Sequence, residues 1–418
     1  MTAAEGVVLV IGCGMQPYRE YLLASAAGRH PLWMFNAAEL SWQRGYVRGG
    51  TVVDVLDRDA VIAAARELAE QRPVLGVLTW DEALITVAAH TAHALGLPGP
   101  GIDAIEGCRD KYHSREVLTA AGVAQPKFEF VRDEAHAVAA AERIGYPVVV
   151  KPRGLGASIG VVRAADAAAV RDAFNAAEAV SLIGAVAYQG GALVEEYLDG
   201  PEISVDGAVV DGRYRALFVA HKTVGMDPYF EELGHAVDGG DDLLGDRELL
   251  DTLAAAHTAI DFRYGMTHAE LKLTARGPVI VEINGRLGGD LIPLLGRYAT
   301  GIEPGAVAVD VALGVEPWIR PAGARRCVGV RFAYPPEDCV VDSVTLPAVD
   351  PARGVLAAVA LVKPGDRMQL PPAEFISRYA YVIGEGSDPR QCAAALDAAQ
   401  AQIRLTARAL TLTAASGG

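Results

Sequence analysis

The sequence predicts an α/β protein of several domains, and three observations predict it. A continuous apolar run at 7–11 (VVLVI) ends in Gly12-Cys13-Gly14, as a buried parallel strand does on entering a tight turn. Strand-like and Ala/Leu-rich segments then alternate to about residue 100. From Ala192 the chain becomes strand-rich, with polar and apolar residues alternating.

Taken in order, 51–55 and 74–79 are the next expected strands, and 59–70 and 82–95 the helices between them. Together they describe a doubly wound parallel sheet, closed by a linker at LPGPGIDA. A shorter pattern follows: helix 111–121, strand 127–131, helix 134–144, then strands at 147–150 and 158–162. Beyond Pro321 the reading is a final α+β piece, with strands near 328–334, 355–362 and 378–383 and a closing helix over 389–410. No internal repeat is present, and the terminal Ser-Gly-Gly is expected to fray.

Composition narrows the function. The chain has 418 residues, 51% hydrophobic and 21% charged, enough apolar material for real cores. At about 150 residues per domain this suggests two or three domains. A net charge of −15 argues against nucleic-acid or anionic-membrane partners, which need a basic footprint. A phosphorylated ligand must then be held by a few local lysines and arginines, helped by a metal. Cys13, Cys108, Cys327, Cys339 and Cys392 are odd in number, scattered and without CxxC spacing, so a disulfide framework or zinc site is not expected. The start, MTAAEG, lacks a basic region, and no apolar run approaches the ~18–20 residues of a membrane span. A soluble cytoplasmic protein is expected.

Gly12-Cys13-Gly14 opens like a dinucleotide fingerprint, but Pro17 stands at the third glycine position, so a tight turn is the better reading. The segment 148–160 (VVVKPRGLGASIG) is more specific: a buried strand delivers Lys151 to a loop with Gly154, Gly156, Ser158 and Gly160. Such a loop brings backbone N–H groups close to phosphate oxygens, and Ser158 adds a donor. No Gly-Lys-Ser/Thr follows, so it is not a Walker loop. The plainer alternative is a hairpin with a surface lysine, an odd place for a solvated charge after three valines. Asp110-Lys111 alone says only that a helix begins there.

Val194-Glu195-Glu196-Tyr197-Leu198 has the look of a hinge between lobes, where backbone groups read an adenine edge and a carboxylate holds ribose hydroxyls. Beyond it, Glu202, Ser204 and Asp206 share one strand face. In 267–286 (THAELKLTARGPVIVEINGR) two alternating runs flank Ala-Arg-Gly-Pro, the pattern of an antiparallel hairpin. A loop centred on Arg276 sets Glu270 opposite Glu282, His268 opposite Asn284 and Lys272 opposite Ile280, with Leu271, Leu273, Val281 and Ile283 behind. Two opposed carboxylates repel each other unless a cation compensates. Mg²⁺ takes such oxygen ligands, and Asn284 offers a third. Arg286, next along the chain, suits an anionic substrate or a charge developing at a carbonyl.

These blocks, DK at 110–111, VVVKPRGLGASIG at 148–160, VEEYLDGPE at 194–202 and HAELKL…VIVEINGRLGG at 268–289, together resemble the ATP-grasp superfamily over residues 105–310. The wording THAELKL and EINGRLGGD and the α+β tail look most like the L-amino-acid ligases of natural-product biosynthesis. The resemblance implies an ATP-grasp fold with an N-terminal Rossmann-like domain (1–109), a small central lid (110–190), a catalytic subdomain (191–320) and a C-terminal α+β lobe (321–418). It implies that Lys111 and Lys151 contact ATP phosphates under the loop Gly154–Gly160. Glu195, Glu196, Leu198 and Glu202 would surround adenosine, and Glu270, Glu282 and Asn284 would hold Mg²⁺ or Mn²⁺. Arg286 would steady an acyl phosphate, and Glu82, His235 and Gly289 would line a substrate pocket. Gly285 stands where proline is frequent in this superfamily. The implied partners are a small-molecule carboxylate and an amine, with no nucleic acid and no membrane; a homodimer is compatible with the resemblance. The rivals are a bicarbonate-using carboxylase, a nucleotide-binding module without catalysis, and an oxidoreductase read from the N-terminal glycines.

Overall fold

The computed structural model describes residues 6–183, 188–319 and 326–410. The expected fraying of the last three residues lies outside that range. The N-terminal sheet is parallel, in the order β3-β2-β1-β4, from β1 (Val7–Ile11), β2 (Leu32–Asn36), β3 (Gly49–Val52) and β4 (Val74–Leu78). All five residues of β1 are fully buried, which is why its sequence is apolar without alternation. Helices α1 (Gln16–Arg29), α2 (Arg58–Gln71) and α3 (Ile85–Ala94) accompany it. The short β2 was not anticipated, and β3 begins upstream of the expected 51–55. Gly12 and Gly14 take left-handed φ of 64° and 68°, and Pro17 lies in the first turn of α1, where its missing N–H has no helical partner to lose.

Helices α4 (Ile102–Arg109) and α5 (Lys111–Ala120) lead to a four-stranded sheet ordered β5-β8-β6-β7. It comprises β5 (Phe128–Val131), β6 (Val148–Pro152), β7 (Val162–Ala164) and β8 (Ala192–Glu196), with α6 (Glu134–Ile144) and α7 (Ala167–Ser181) packed on it. Asp110, Asp133 and Asp166 cap α5, α6 and α7 by accepting from first-turn N–H groups. The strand expected at 158–162 is a turn instead, and β7 starts only at Val162: Ser158 and Gly160 hold left-handed φ of 56° and 74°, which no strand accommodates.

The largest sheet has eight strands, β13-β12-β9-β10-β11-β14-β18-β16. Its members are β9 (Glu202–Val210), β10 (Arg213–Gly225), β11 (Glu231–Asp238), β12 (Gly265–Thr274), β13 (Gly277–Asn284), β14 (Cys327–Ala333), β16 (Val355–Ala360) and β18 (Ala380–Gly386). Leu249, Leu253 and Ala256 of α8 (Arg247–Ala259) cover its back, against Ile203, Val205, Ala269 and Leu271. Helices α9 (Ile292–Thr300) and α10 (Pro304–Ala312) join it to the N-terminal unit, since Leu295 and Val309 share one core with Val8 and Leu22. The sheet runs across 320/321, and β8 pairs into the smaller sheet.

Strands β15 (Cys339–Thr345), β17 (Arg367–Met368) and β19 (Arg404–Ala409) form a last three-stranded sheet. The helix expected over 389–410 is therefore two elements. Helix α11 (Pro389–Gln400) ends with the Ala-rich stretch, and the Arg-Leu-Thr-Ala alternation that follows pairs with β15 as β19. The five cysteines are all buried and free. Among the described residues no helix is long and apolar enough to cross a membrane.

Candidate active site

The site is one face of the eight-stranded sheet, set by register. Across β9 and β12, Glu202 faces Lys272, Ser204 faces Glu270 and Asp206 faces His268. Across β12 and β13, Glu270 faces Glu282 and His268 faces Asn284. The predicted carboxylate pair is there, but by a different route. The loop is two residues, Ala275-Arg276, with Thr274 opposite Gly277, so Lys272 faces Val279 and not Ile280. A bulge at Val281 then restores the parity. Val281, expected on the apolar back, accordingly lines the cleft beside Glu282.

The acids of β9, β12 and β13 on this face each have a cation. Lys222 Nζ lies 2.9 Å from Glu202, 2.7 Å from Glu232 and 2.8 Å from Glu270. Burial alone would lower its pKa, but the three carboxylates hold it well above the usual lysine value. Lys272 Nζ is 3.2 Å from Glu202. The imidazole of His268 sits 2.5 Å from Asp206, which also accepts the Gly288 N–H. Burial opposes the charged ring, yet Asp206 and Glu270 raise its pKa to about 9.

The smaller sheet and α5 close over this face, leaving a cleft of about 960 Å³. Lys111 reaches in from α5, 3.3 Å from Glu282, and donates to the Leu155 carbonyl. Lys151, 4% exposed, lies one residue before the end of β6 with its Nζ 2.8 Å from Glu195. Burial, with the like charges of Arg115 and Lys111, lowers its pKa against the pull of Glu195 and Glu282. Glu195, expected beside adenosine, does line the cleft. Its carboxylate is 4% exposed and both oxygens are taken, by Lys151 and by Arg115 at 2.8 and 3.2 Å, so it anchors two cations at the cleft wall. Burial would raise its pKa, but those two cations hold it down to about 2.

Glu196 and Leu198 line the cleft, although the Glu196 carboxylate itself pairs with Arg276 and accepts the Lys127 N–H. Of the loop residues, Gly156 and Ser158 line the cleft, whereas Gly154 and Gly160 are not part of its wall. A Cβ on Gly160 would meet Val180 at 2.5 Å, and one on Gly154 would meet Tyr188 at 3.0 Å, so both serve close packing. Arg153 ties the loop to Asp110, Nε to Oδ1 at 2.7 Å. Gly285 lies against α4, where a Cβ would meet Ile105 at 2.2 Å.

Beyond Glu270 and Arg286 the cleft continues into a second pocket of about 530 Å³, walled further by Glu231, Gly289, Asp290 and Arg378. Arg286 Nε is 2.6 Å from Glu82 of the N-terminal unit, whose other oxygen accepts from Arg109 at 2.6 Å. His235 is corrected in position. Its side chain is fully buried, 3.4 Å from both Glu232 and Asp290, and it backs the pocket without lining it. Sequence reasoning missed Lys222, Arg115, Glu232 and Arg378, none of which falls in a recognisable motif.

An ATP-grasp domain model matches residues 144–293, an ATP-grasp N-terminal domain model 34–99, and an L-amino acid ligase C-terminal domain 2 model 331–408. Phosphoribosylamine–glycine ligase of Mycobacterium tuberculosis (strain ATCC 25618 / H37Rv) is 33% identical over 308 residues, 67% of this chain and 68% of that enzyme. The chain belongs to the ATP-grasp superfamily. Alanine–anticapsin ligase of Bacillus subtilis (strain 168) is 27% identical over 60% of this ATP-grasp chain, which spans only 57% of that enzyme's length. The crystal structure of an L-amino acid ligase from Bacillus licheniformis has the same ATP-grasp fold, with a TM-score of 0.78 and 21% identity over 98% of this chain and 100% of that one. The donor set on the ATP-grasp face fits a hard cation: Glu270, Glu282 and Asn284 all border the cleft and offer only oxygen ligands of the carboxylate and carboxamide kind.

Proposed function

We propose that this chain activates a carboxylate with ATP and joins it to an amine, releasing ADP and phosphate. The observation that carries the reading is the convergence of Lys111, Lys151, Glu270, Glu282, Asn284 and Arg286 on one cleft. Relatives named for ligation of alanine or glycine support an amino acid as one substrate.

The residues divide the work by charge. Lys111 and Lys151 would offset the triphosphate, and the anchor at Glu195 keeps Lys151 from swinging away. Main-chain groups of Glu196 and Leu198 would meet the base, and Glu202 the ribose. A divalent cation, Mg²⁺ or Mn²⁺, held by Glu270, Glu282 and Asn284 would neutralise phosphate oxygens. The substrate carboxylate oxygen attacks the γ-phosphorus and ADP leaves; the amine then attacks the acyl carbon and phosphate leaves. Arg286, between the carboxylates and the second pocket, would meet the charge appearing on the carbonyl oxygen. The loop tied down by Arg153 and Asp110 would exclude water, which otherwise hydrolyses the acyl phosphate.

Product analysis with an accepted pair of amino acids tests this. ADP, phosphate and amide are expected, and hydroxylamine should divert the acyl phosphate to a hydroxamate. AMP with pyrophosphate would refute the mechanism, and ADP release that requires bicarbonate would move the chain to the carboxylase class.

A further inference from the structure

The second pocket contains one acid that the charge-matching on this face leaves out. Asp290 is met by Arg378 at 2.6 Å and by His235, and Glu232 by Lys222 at 2.7 Å. Glu231 has no such partner among the described residues. It is 2% exposed, and one oxygen, Oε2, accepts from the Tyr334 hydroxyl at 2.8 Å and the Ile376 N–H at 3.0 Å. The other, Oε1, is buried with no hydrogen-bond partner among the described residues. Burial raises the Glu231 pKa, and Tyr334, Ile376 and Arg378 only partly counter this. A buried acceptor left unmet costs stability that a ligand donor would recover.

Its place in the pocket says which donor. Arg286, Glu270 and Glu232 belong to both cavities, so they mark the end nearest the phosphates. Glu231, Ile292, Ile376 and Arg378 border only the second cavity, so they mark its far end. A carboxylate substrate whose reacting group lies beside Arg286 therefore points its other end at Glu231. Phe230, shared by both cavities, and Ile292 and Ile376 beside Glu231 supply apolar surface suited to a methylene stem. We propose that the carboxylate substrate is an α-amino acid with a basic side chain, whose terminal ammonium or guanidinium donates to Glu231 Oε1.

This rests on the ligase reading, and the test separates the two. ADP release by the full chain is measured with lysine and norleucine, and with arginine and citrulline, alanine serving as the amine. Citrulline keeps the shape of arginine without its charge, and norleucine keeps the lysine stem without its terminal nitrogen. The basic member should exceed its neutral partner at least tenfold in kcat/KM. Glu231→Gln should erase that preference and leave the KM for ATP unchanged. Equal use of norleucine and lysine by the wild-type chain overturns the inference and leaves the ligase reading intact. So does a Glu231→Gln variant that weakens all amino acids alike, because Glu231 would then read the α-ammonium common to them. Absence of ADP with every amino-acid pair overturns the ligase reading, and the inference with it.

Discussion

Arg286 Nε lies 2.6 Å from Oε2 of Glu82, although the two residues belong to different units of the chain. The other oxygen of Glu82 accepts from Arg109, so the proposed oxyanion group is tied by an ion pair and a hydrogen bond to α4. Burial would raise the Glu82 pKa, but Arg286 and Arg109 keep it below the usual carboxylate range, so it stays charged at neutral pH. Glu82 would thus be a positioning residue for Arg286.

Glu82→Gln should therefore lower kcat on the order of 10²-fold, the scale of a misplaced catalytic group, with little change in ATP affinity. Steady-state kinetics read beside nucleotide-binding titration would check the split. A variant that loses ATP affinity and rate in parallel would show that Glu82 serves the nucleotide end.

Lys151 and Glu195 should fail in different ways. Lys151→Met leaves Glu195 with Arg115 and should keep the fold, while ATP binding weakens by roughly 10–100-fold, the worth of one charged hydrogen bond. Glu195→Gln leaves two buried cations, Lys151 and Arg115, without the carboxylate that pairs with both, which costs about 3–5 kcal/mol. Thermal unfolding should separate them, Glu195→Gln losing far more in Tm. Equal Tm values would show that the anchor is not electrostatic.

His257 predicts a pH dependence of stability. It is buried, bonded to the Leu253 carbonyl and Thr267, and burial lowers its pKa from 6.5 to about 4. A folded-state pKa below the unfolded value means that protons favour the unfolded chain. The stability is thus present above pH 6.5 and is lost as pH falls towards 4, at up to about 1.4 kcal/mol per unit. The Tm measured from pH 7 to 4 should fall less steeply for His257→Gln than for the wild-type chain. An identical slope would remove His257 as the cause.

The cleft was legible in the sequence wherever chemistry is written in consecutive residues. Lys151 ends a run of valines, and Glu282 and Asn284 alternate along one strand, so residue type and period place them. Pairings that depend on bulges were not legible. Glu232 and His235 are three apart and should lie on opposite faces of a regular strand, yet they meet at 3.4 Å. The cause is a bulge at Leu233, between Gly234 opposite Thr223 and Glu232 opposite Val224, which flips the parity. The predicted Glu270–Glu282 pair survived only because a wrong loop length and an unforeseen bulge at Val281 cancel. Lys222 and Arg378 come from strands and loops remote in sequence, and no local signal announces such residues.

Lys222 carries the last prediction. Its side chain is 3% exposed and touches Glu202, Glu232 and Glu270 together, so it offsets three negative charges with one. Each acid keeps a second cation: Lys272 for Glu202, His235 for Glu232, and His268 at 3.5 Å for Glu270. Lys222→Met should therefore leave a folded but destabilised protein, losing up to about 3–5 kcal/mol, the cost of breaking a buried pair. The variant also removes the competitor that holds Glu270. If Glu270 ligates a divalent cation, Mg²⁺ alone should raise the Tm of Lys222→Met more than that of the wild-type chain, because cation binding to the folded state stabilises it by mass action. Adding Glu270→Gln to Lys222→Met should abolish the extra gain. Differential scanning calorimetry with and without Mg²⁺ on the three proteins reads both effects. An equal Mg²⁺ response in all three would show that Glu270 is held by its protein cations and takes no metal.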